Sequence, residues 1–195
     1  MSEALITWHP GLVTPAVRRD LVGRGATVWL TGLSASGKST IATILEERLL
    51  HSGRPAYVLD GDNLRHGLNG DLGFDAASRS ENVRRAAHVA RLFADAGMIA
   101  VVCLISPYAA DRELARVLHE SNGIPFVEVF VDTPLAECER RDPKGLYARA
   151  RAGELRGFTG IDDPYERPEK ADVVIRSCEV SDLDATDLIL ATLHV

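Results

Sequence analysis

The chain has 195 residues, 46% hydrophobic and 26% charged, enough for one α/β domain with a full core. Its formal net charge of -6 argues against a general nucleic-acid binder, which carries a basic footprint. No apolar run approaches the roughly 20 residues a membrane helix needs, and the opening MSEALITWHPG lacks the pattern of a signal peptide. Three widely spaced cysteines, Cys103, Cys138 and Cys178, indicate a reducing, cytoplasmic setting with no disulfide framework.

Residues 1–25 read as an N-terminal arm, and 26–195 as a single domain. Within it, short apolar runs alternate with helical patterns, the mark of βαβ units and a parallel sheet. The predicted strands are 27–31, 56–59, 99–104, 126–131 and 173–175. Each is apolar on both faces, as central parallel strands are. The fold class is therefore α/β, an open parallel sheet of about five strands with helices on both faces, and Gly32-x4-Gly37-Lys38-Ser39 after the first strand makes it P-loop NTPase type.

The first strand runs into Gly32-x4-Gly37-Lys38-Ser39, and then into a helix over 39–50. In such a loop the backbone N–H groups cradle phosphates and the helix N-terminus adds its positive end. Gly32, Leu33, Ser34, Ala35, Ser36, Gly37, Lys38, Ser39 and Thr40 are thus the candidate ATP-binding residues. Lys38 is expected at the β- and γ-phosphates and Ser39 on Mg²⁺. The chain has only three lysines, Lys38, Lys144 and Lys170, against 19 arginines. Something can therefore be holding lysine at these three positions, and at Lys38 a compact charge on a flexible stem is what the loop wants.

The second strand ends in Asp60-Gly-Asp62-Asn63-x-Arg65. Ligands of open parallel sheets sit at the carboxyl ends of the strands. One carboxylate there can serve the metal, for which Asp60 is the candidate beside Ser39, and the other can accept a proton from an attacking hydroxyl. The alternative is a plain turn in which Asp62 caps a short helix.

Ser78-Arg79-Ser80-Glu81 matches a capping box, predicting a helix through Ala96 with Gly97 as its stop. Arg79 and Asn82 share a face near its start, and arginine forks suit a phosphate or sulfate. Phe74 can stack on a planar ring or tuck into the core. The third strand ends in Leu104-Ile105-Ser106-Pro107, facing the same cleft. A short helix is expected over 111–120, another after Thr133-Pro134 with Thr133 as N-cap, and a closing helix over 182–193. The polar segment 142–170 is long for a loop and reads as a lid.

GLSASGKST, DGDNLRHGL, the LGF…R-x-x-N block, ISPY, RDPKGLYARA and FTGIDDPYE together resemble the adenylyl-sulfate kinase (APS kinase) family. The likeness runs from ITWH at 6–9 to about residue 175. It implies transfer of the γ-phosphate of MgATP to the 3′-hydroxyl of adenosine 5′-phosphosulfate (APS), giving PAPS and ADP. Carried over, Lys38, Asp62 and Ser106 would be catalytic. Asp62, Arg65, Phe74, Arg79, Asn82, Ile105, Ser106, Phe158 and Lys170 would hold APS, with Phe74 and Phe158 sandwiching its adenine and Lys170 closing the pocket. Arg140 would join the ATP side, and Ser39 and Asp60 the metal. The family is usually dimeric, and an ATP sulfurylase is a possible associate. Its description often makes the serine at 106 a phosphoenzyme intermediate, but P-loop kinases transfer in line, so Ser106 is expected to line the pocket instead. Ala35 stands where many members carry glycine, a change expected to be tolerated. Two other readings compete: a gluconate- or shikimate-type kinase, and a non-catalytic nucleotide-responsive domain.

Overall fold

The computed structural model describes residues 7, 9 and 11–193. Residues 1–6, 8 and 10 of the arm, which include most of the signal-peptide test and part of ITWH, lie outside the described residues.

The five strands are β1 Ala26–Thr31, β2 Ala56–Asp60, β3 Ile99–Cys103, β4 Phe126–Asp132 and β5 Val173–Arg176. All neighbours pair in parallel, in the order β2-β3-β1-β4-β5. β1 is central and wholly buried. Its even residues Ala26, Val28 and Leu30 pack one way, with Ile41, Leu45, Leu49 and Ile189. Trp29 packs the other way, with Val83, Ala86, Ala90 and Phe126. Period-two alternation thus feeds two apolar layers, one on each face of the sheet. The expectation that every strand is central and buried on both faces is corrected for the two edge strands: β2 exposes Tyr57, and β5 alternates buried and exposed residues.

The helices are α1 Pro15–Val22, α2 Lys38–His51, α3 Gly61–Arg65, α4 Ala76–Asp95, α5 Ala109–Glu120, α6 Leu135–Arg141, α7 Leu146–Arg151 and α8 Asp182–Thr192. The apolar stripes of α2 and α8 cover one face of the sheet, and those of α4 and α5 the other. Two expected caps are corrected. Helix α4 starts a turn early because Asp75 is its N-cap, its carboxylate accepting from Ser78 N–H at 3.0 Å and from Ser78 Oγ at 2.6 Å. Glu81, freed from a capping box, pairs with Arg84 and Arg85. Thr133 does not cap α6: Pro134 holds that position, and the Thr133 hydroxyl donates 2.8 Å to the Ser36 carbonyl.

His119 at the end of α5 is fully buried against Phe126, with ring centroids 5.1 Å apart. Its Nδ1 meets the Ala115 carbonyl at 2.7 Å, and among the described residues its Nε2 has no partner. Burial pushes its pKa down to about 4. The unfolded chain therefore takes up a proton near pH 6.5 that the fold refuses until about pH 4. The His119 contribution to stability is intact above pH 6.5 and is lost progressively below it, by up to about 3 kcal/mol. Glu81 and Glu137, each held down to about 2 by hydrogen bonds from two arginines, lose their contributions only below the ordinary carboxylate range. Melting temperatures from pH 7 to 5 should fall more steeply for the native chain than for His119→Gln. Equal slopes would show that another group governs this window.

Candidate active site

The carboxyl ends of β1, β2 and β3 meet at one cavity of about 740 Å³. β1 delivers the loop 32–37. Gly32 has φ 150°, and a Cβ there would stand 2.7 Å from the Val131 carbonyl oxygen, so glycine is demanded by space. Gly37 has φ 108° with open surroundings, so there the demand is conformational. Ala35 also adopts a left-handed φ of 58°. A left-handed φ is strained for any residue with a Cβ, so alanine there costs about 1 kcal/mol relative to glycine.

Lys38 is buried at the start of α2. Its Nζ donates to the carbonyls of Gly32 (2.9 Å) and Leu33 (2.6 Å) and to Ser36 Oγ (3.2 Å). Burial presses its pKa below the usual lysine value. Ser39 Oγ donates to Asp60 Oδ2 at 2.9 Å. The other Asp60 oxygen caps α3, accepting from Asp62 N–H at 2.9 Å. Asp60, not Asp62, is thus the cap, and Asp62 projects into the cavity rim, 65% exposed. There it pairs with Lys144, which the sequence reading did not assign. The scarcity of lysine was the signal available for it.

The far part of the cavity is lined by Arg65, Phe74, Arg79, Asn82, Ile105, Ser106 and Phe158. Arg65 anchors on the carbonyls of Leu72 (2.9 Å) and Gly73 (3.0 Å) and lies 4.2 Å over the Phe74 ring. Burial, then the Arg79 cation, lower its pKa, so an anion between these guanidiniums is favoured. Phe74 is exposed, not tucked into the core. Arg79 is buried and donates to Phe74 O (2.8 Å) and Gly157 O (2.7 Å). Asn82 accepts from Asn69 at 2.9 Å. Among the described residues no ring contact joins Phe74 to Phe158, whose ring instead meets Tyr147 edge-on at 5.0 Å.

Ser106 has φ 40° and is buried. Its Oγ accepts from Trp29 Nε1 at 3.1 Å, and among the described residues no histidine or carboxylate hydrogen-bonds it. Cys103 reaches Ser39 Oγ at 3.4 Å, but burial pushes its thiol up to about 11, so it is an inert packing group.

Two expected residues stand off the cavity. Arg140 turns outward to Glu137 at 2.7 Å, and its neighbour Arg141 takes the inward position, 3.4 Å from the Ser36 carbonyl. One step along a helix is a rotation of about 100°, so only one of the pair can face the loop. Lys170 is exposed and does not border the cavity.

The segment 142–170 is docked rather than loose. Gly145 is the N-cap of the six-residue α7, and Asp142, three residues earlier, holds its first turn by accepting from Tyr147 and Ala148 N–H at 3.1 and 3.0 Å. Tyr147 is buried and donates 3.0 Å to the Ser34 carbonyl of the loop. Asp162 accepts from the N–H groups of Gly157 (2.8 Å) and Phe158 (2.7 Å). Residues 157–163 thus close a tight turn that brings Phe158 to the cavity.

A glycine loop with a buried lysine at the end of a central parallel strand, beside a hydroxyl–carboxylate pair at the end of the next, defines a P-loop phosphotransferase. Within that class, the chain belongs to the adenylylsulphate kinase family, whose model matches residues 24–176. It is similar to the adenylyl-sulfate kinase of Emericella nidulans, 52% identical over 191 residues, covering 95% of this chain and 93% of the relative. It is 57% identical over 181 residues to the bifunctional enzyme CysN/CysC of Mycobacterium tuberculosis, covering 93% of this chain but only 29% of that relative's length. The fold superposes with a TM-score of 0.85 on the M. tuberculosis APS kinase CysC solved in complex with AMPPNP and APS, at 56% identity, covering 88% of this chain and 99% of that one.

Proposed function

We propose that this chain transfers the γ-phosphate of ATP to the 3′-hydroxyl of APS, giving ADP and PAPS. The observation that carries it is a cavity lined both by the phosphate loop and by an arginine–phenylalanine pocket, with Asp62 on its rim. The loop and Lys38 bind the ATP phosphates, and Arg141 rather than Arg140 flanks them. The Arg65–Phe74 pair offers a flat, cationic platform that suits a nucleotide better than the non-planar ring or chain of a sugar acid. Asp62 orients the 3′-hydroxyl and accepts its proton. The segment 142–170 excludes water, so that ATP is not hydrolysed.

The hard oxygen donors of Ser39 and Asp60 fit Mg²⁺ held by one or two protein groups plus substrate phosphates. Held there, Mg²⁺ would supply charge neutralisation to the transferring phosphoryl group. Among the described residues, no cluster of three or more His, Cys, Asp or Glu offers an all-protein metal cage.

The reading comprises one kinase domain over 26–195 after the arm 1–25, acting in the cytoplasm as a homodimer. No helix among the described residues is long and apolar enough to cross a membrane. The bifunctional relative, of which this chain spans 29%, supports association with a second enzyme, for which the proposal is an ATP sulfurylase.

The test is purified protein with MgATP and APS, with PAPS and ADP quantified by mass spectrometry beside gluconate and shikimate controls. Stoichiometric PAPS and ADP are expected. Turnover only of a control acceptor would move the reading to a sugar-type kinase, and tight ATP binding without any turnover would move it to a regulatory domain. Arg79→Ala should raise KM for APS about tenfold or more, as expected for a lost charged hydrogen-bonding group. A change confined to KM for ATP would mean that the two halves of the cavity are exchanged.

A further inference from the structure

We propose that Arg112, which does not itself border the cavity, is a positioning residue that holds the Ser106 turn and the strap 157–166 in the register that forms the acceptor pocket. The proposal rests on the APS kinase reading above.

Arg112 lies on α5 with its side chain 3% exposed. Each arm of its guanidinium has a different partner. Nε donates to Glu128 Oε1 on β4 at 2.8 Å, Nη1 to the Ser106 carbonyl at 2.7 Å and Nη2 to the Glu166 carbonyl at 2.7 Å. One cation thus joins a strand, the turn after β3 and the strap. Glu128 is fixed in turn, its N–H donating 2.7 Å to Asp172 and its carboxylate lying 3.7 Å from Arg116.

The turn needs such a hold. Ser106 is a non-glycine residue at φ 40°, a conformation that persists only where its surroundings over-determine it. Arg112 fixes its carbonyl and Trp29 its hydroxyl. The indole N–H is donor only, so it occupies a lone pair of Oγ and leaves the Ser106 O–H free to donate into the pocket. The strap is fastened at three more points around this turn: to the turn itself by Glu166 N–H to Pro107 O (2.9 Å), to the start of α5 by Ala109 N–H to Glu166 Oε2 (2.6 Å), and to β1 by the Tyr165 hydroxyl to Thr31 Oγ1 (2.9 Å), which itself donates to Ile105 O at 2.7 Å. Its other end is held by Arg79, through Gly157 O and, at 3.7 Å, Asp163. Two guanidiniums therefore tension the segment that carries Phe158, and of the two Arg79 is the one that faces the pocket.

Lysine keeps the charge opposite Glu128 but lacks the planar fork that reaches two carbonyls at once. Arg112→Lys should therefore raise KM for APS about tenfold while leaving KM for ATP within about twofold, measured well below its melting temperature. Combined with Ser106→Ala, its effect on KM for APS should be less than additive, because both act on one turn. If Arg112→Lys does not fold, Glu128→Gln loosens the same anchor and should show the same selectivity at about threefold. Unchanged KM for APS in a folded variant, or equal rises for both substrates, overturns the proposal while the wild-type activity stands. A wild-type chain that makes no PAPS overturns the functional reading and this inference with it.

Discussion

Lys38→Ala should lower kcat for PAPS formation by about a thousandfold, the upper end of the loss expected when a preorganised charge donor is removed. The ammonium is already desolvated and aimed by two carbonyls and the Ser36 hydroxyl, so little reorganisation is needed when the transferring phosphoryl group spreads its charge. Burial lowers its pKa, and Asp60 and Asp62 oppose that shift. The cation is thus supported by the same carboxylates that are proposed to serve the metal and the acceptor. The variant should remain folded, since α2 keeps its apolar contacts through Ile41, Leu45 and Leu49. Steady-state kinetics at saturating substrates, with circular dichroism as the folding control, make the comparison. A variant with near-normal kcat would remove the loop lysine from the chemistry.

Asp62→Asn should lower kcat by about a hundredfold or more, within the range of a lost general base, with KM for ATP little changed. The amide keeps the shape and a hydrogen-bonding oxygen but neither accepts the proton nor holds Lys144 as an ion pair. That separates Asp62 from Asp60, whose oxygens are committed to Ser39 and to the start of α3. Single-turnover rates isolate the chemical step from product release. An Asp62→Asn enzyme within about threefold of wild type would show that positioning alone suffices and that no side-chain base is needed.

The inner strands were legible because parallel strands buried on both faces leave unbroken apolar runs, such as Val101–Cys103, whereas the edge strands β2 and β5 expose Tyr57 and Val174. All five strands agree with the reading to within a residue at either end. The loop was legible because its glycines answer a local steric demand. The cap of α4 is ambiguous in sequence because Ser78 and Asp75 both fit an N-cap, and the choice falls to the carboxylate that reaches the free N–H groups. Helices α1 and α7 escape a periodicity reading, being eight and six residues long, with α7 started by an aspartate side chain. Arg140 and Arg141 are adjacent in a helix whose register relative to the loop depends on tertiary packing. Arg112 was invisible for a plainer reason: two of its partners are backbone carbonyls, one of them 54 residues away, and a carbonyl has no signature in sequence.

The strap that brings Phe158 to the far part of the cavity also touches the phosphate loop. A Cβ on Gly160 would lie 3.0 Å from the Leu33 side chain, and Tyr147, which packs on Phe158, is bonded to Ser34. The two ligands therefore share one wall. Whatever free energy one of them contributes to ordering that wall is felt by the other, and linkage requires the effect to be equal in both directions. The affinity for a non-hydrolysable ATP analogue with and without APS, and the affinity for APS with and without the analogue, should change by one and the same factor.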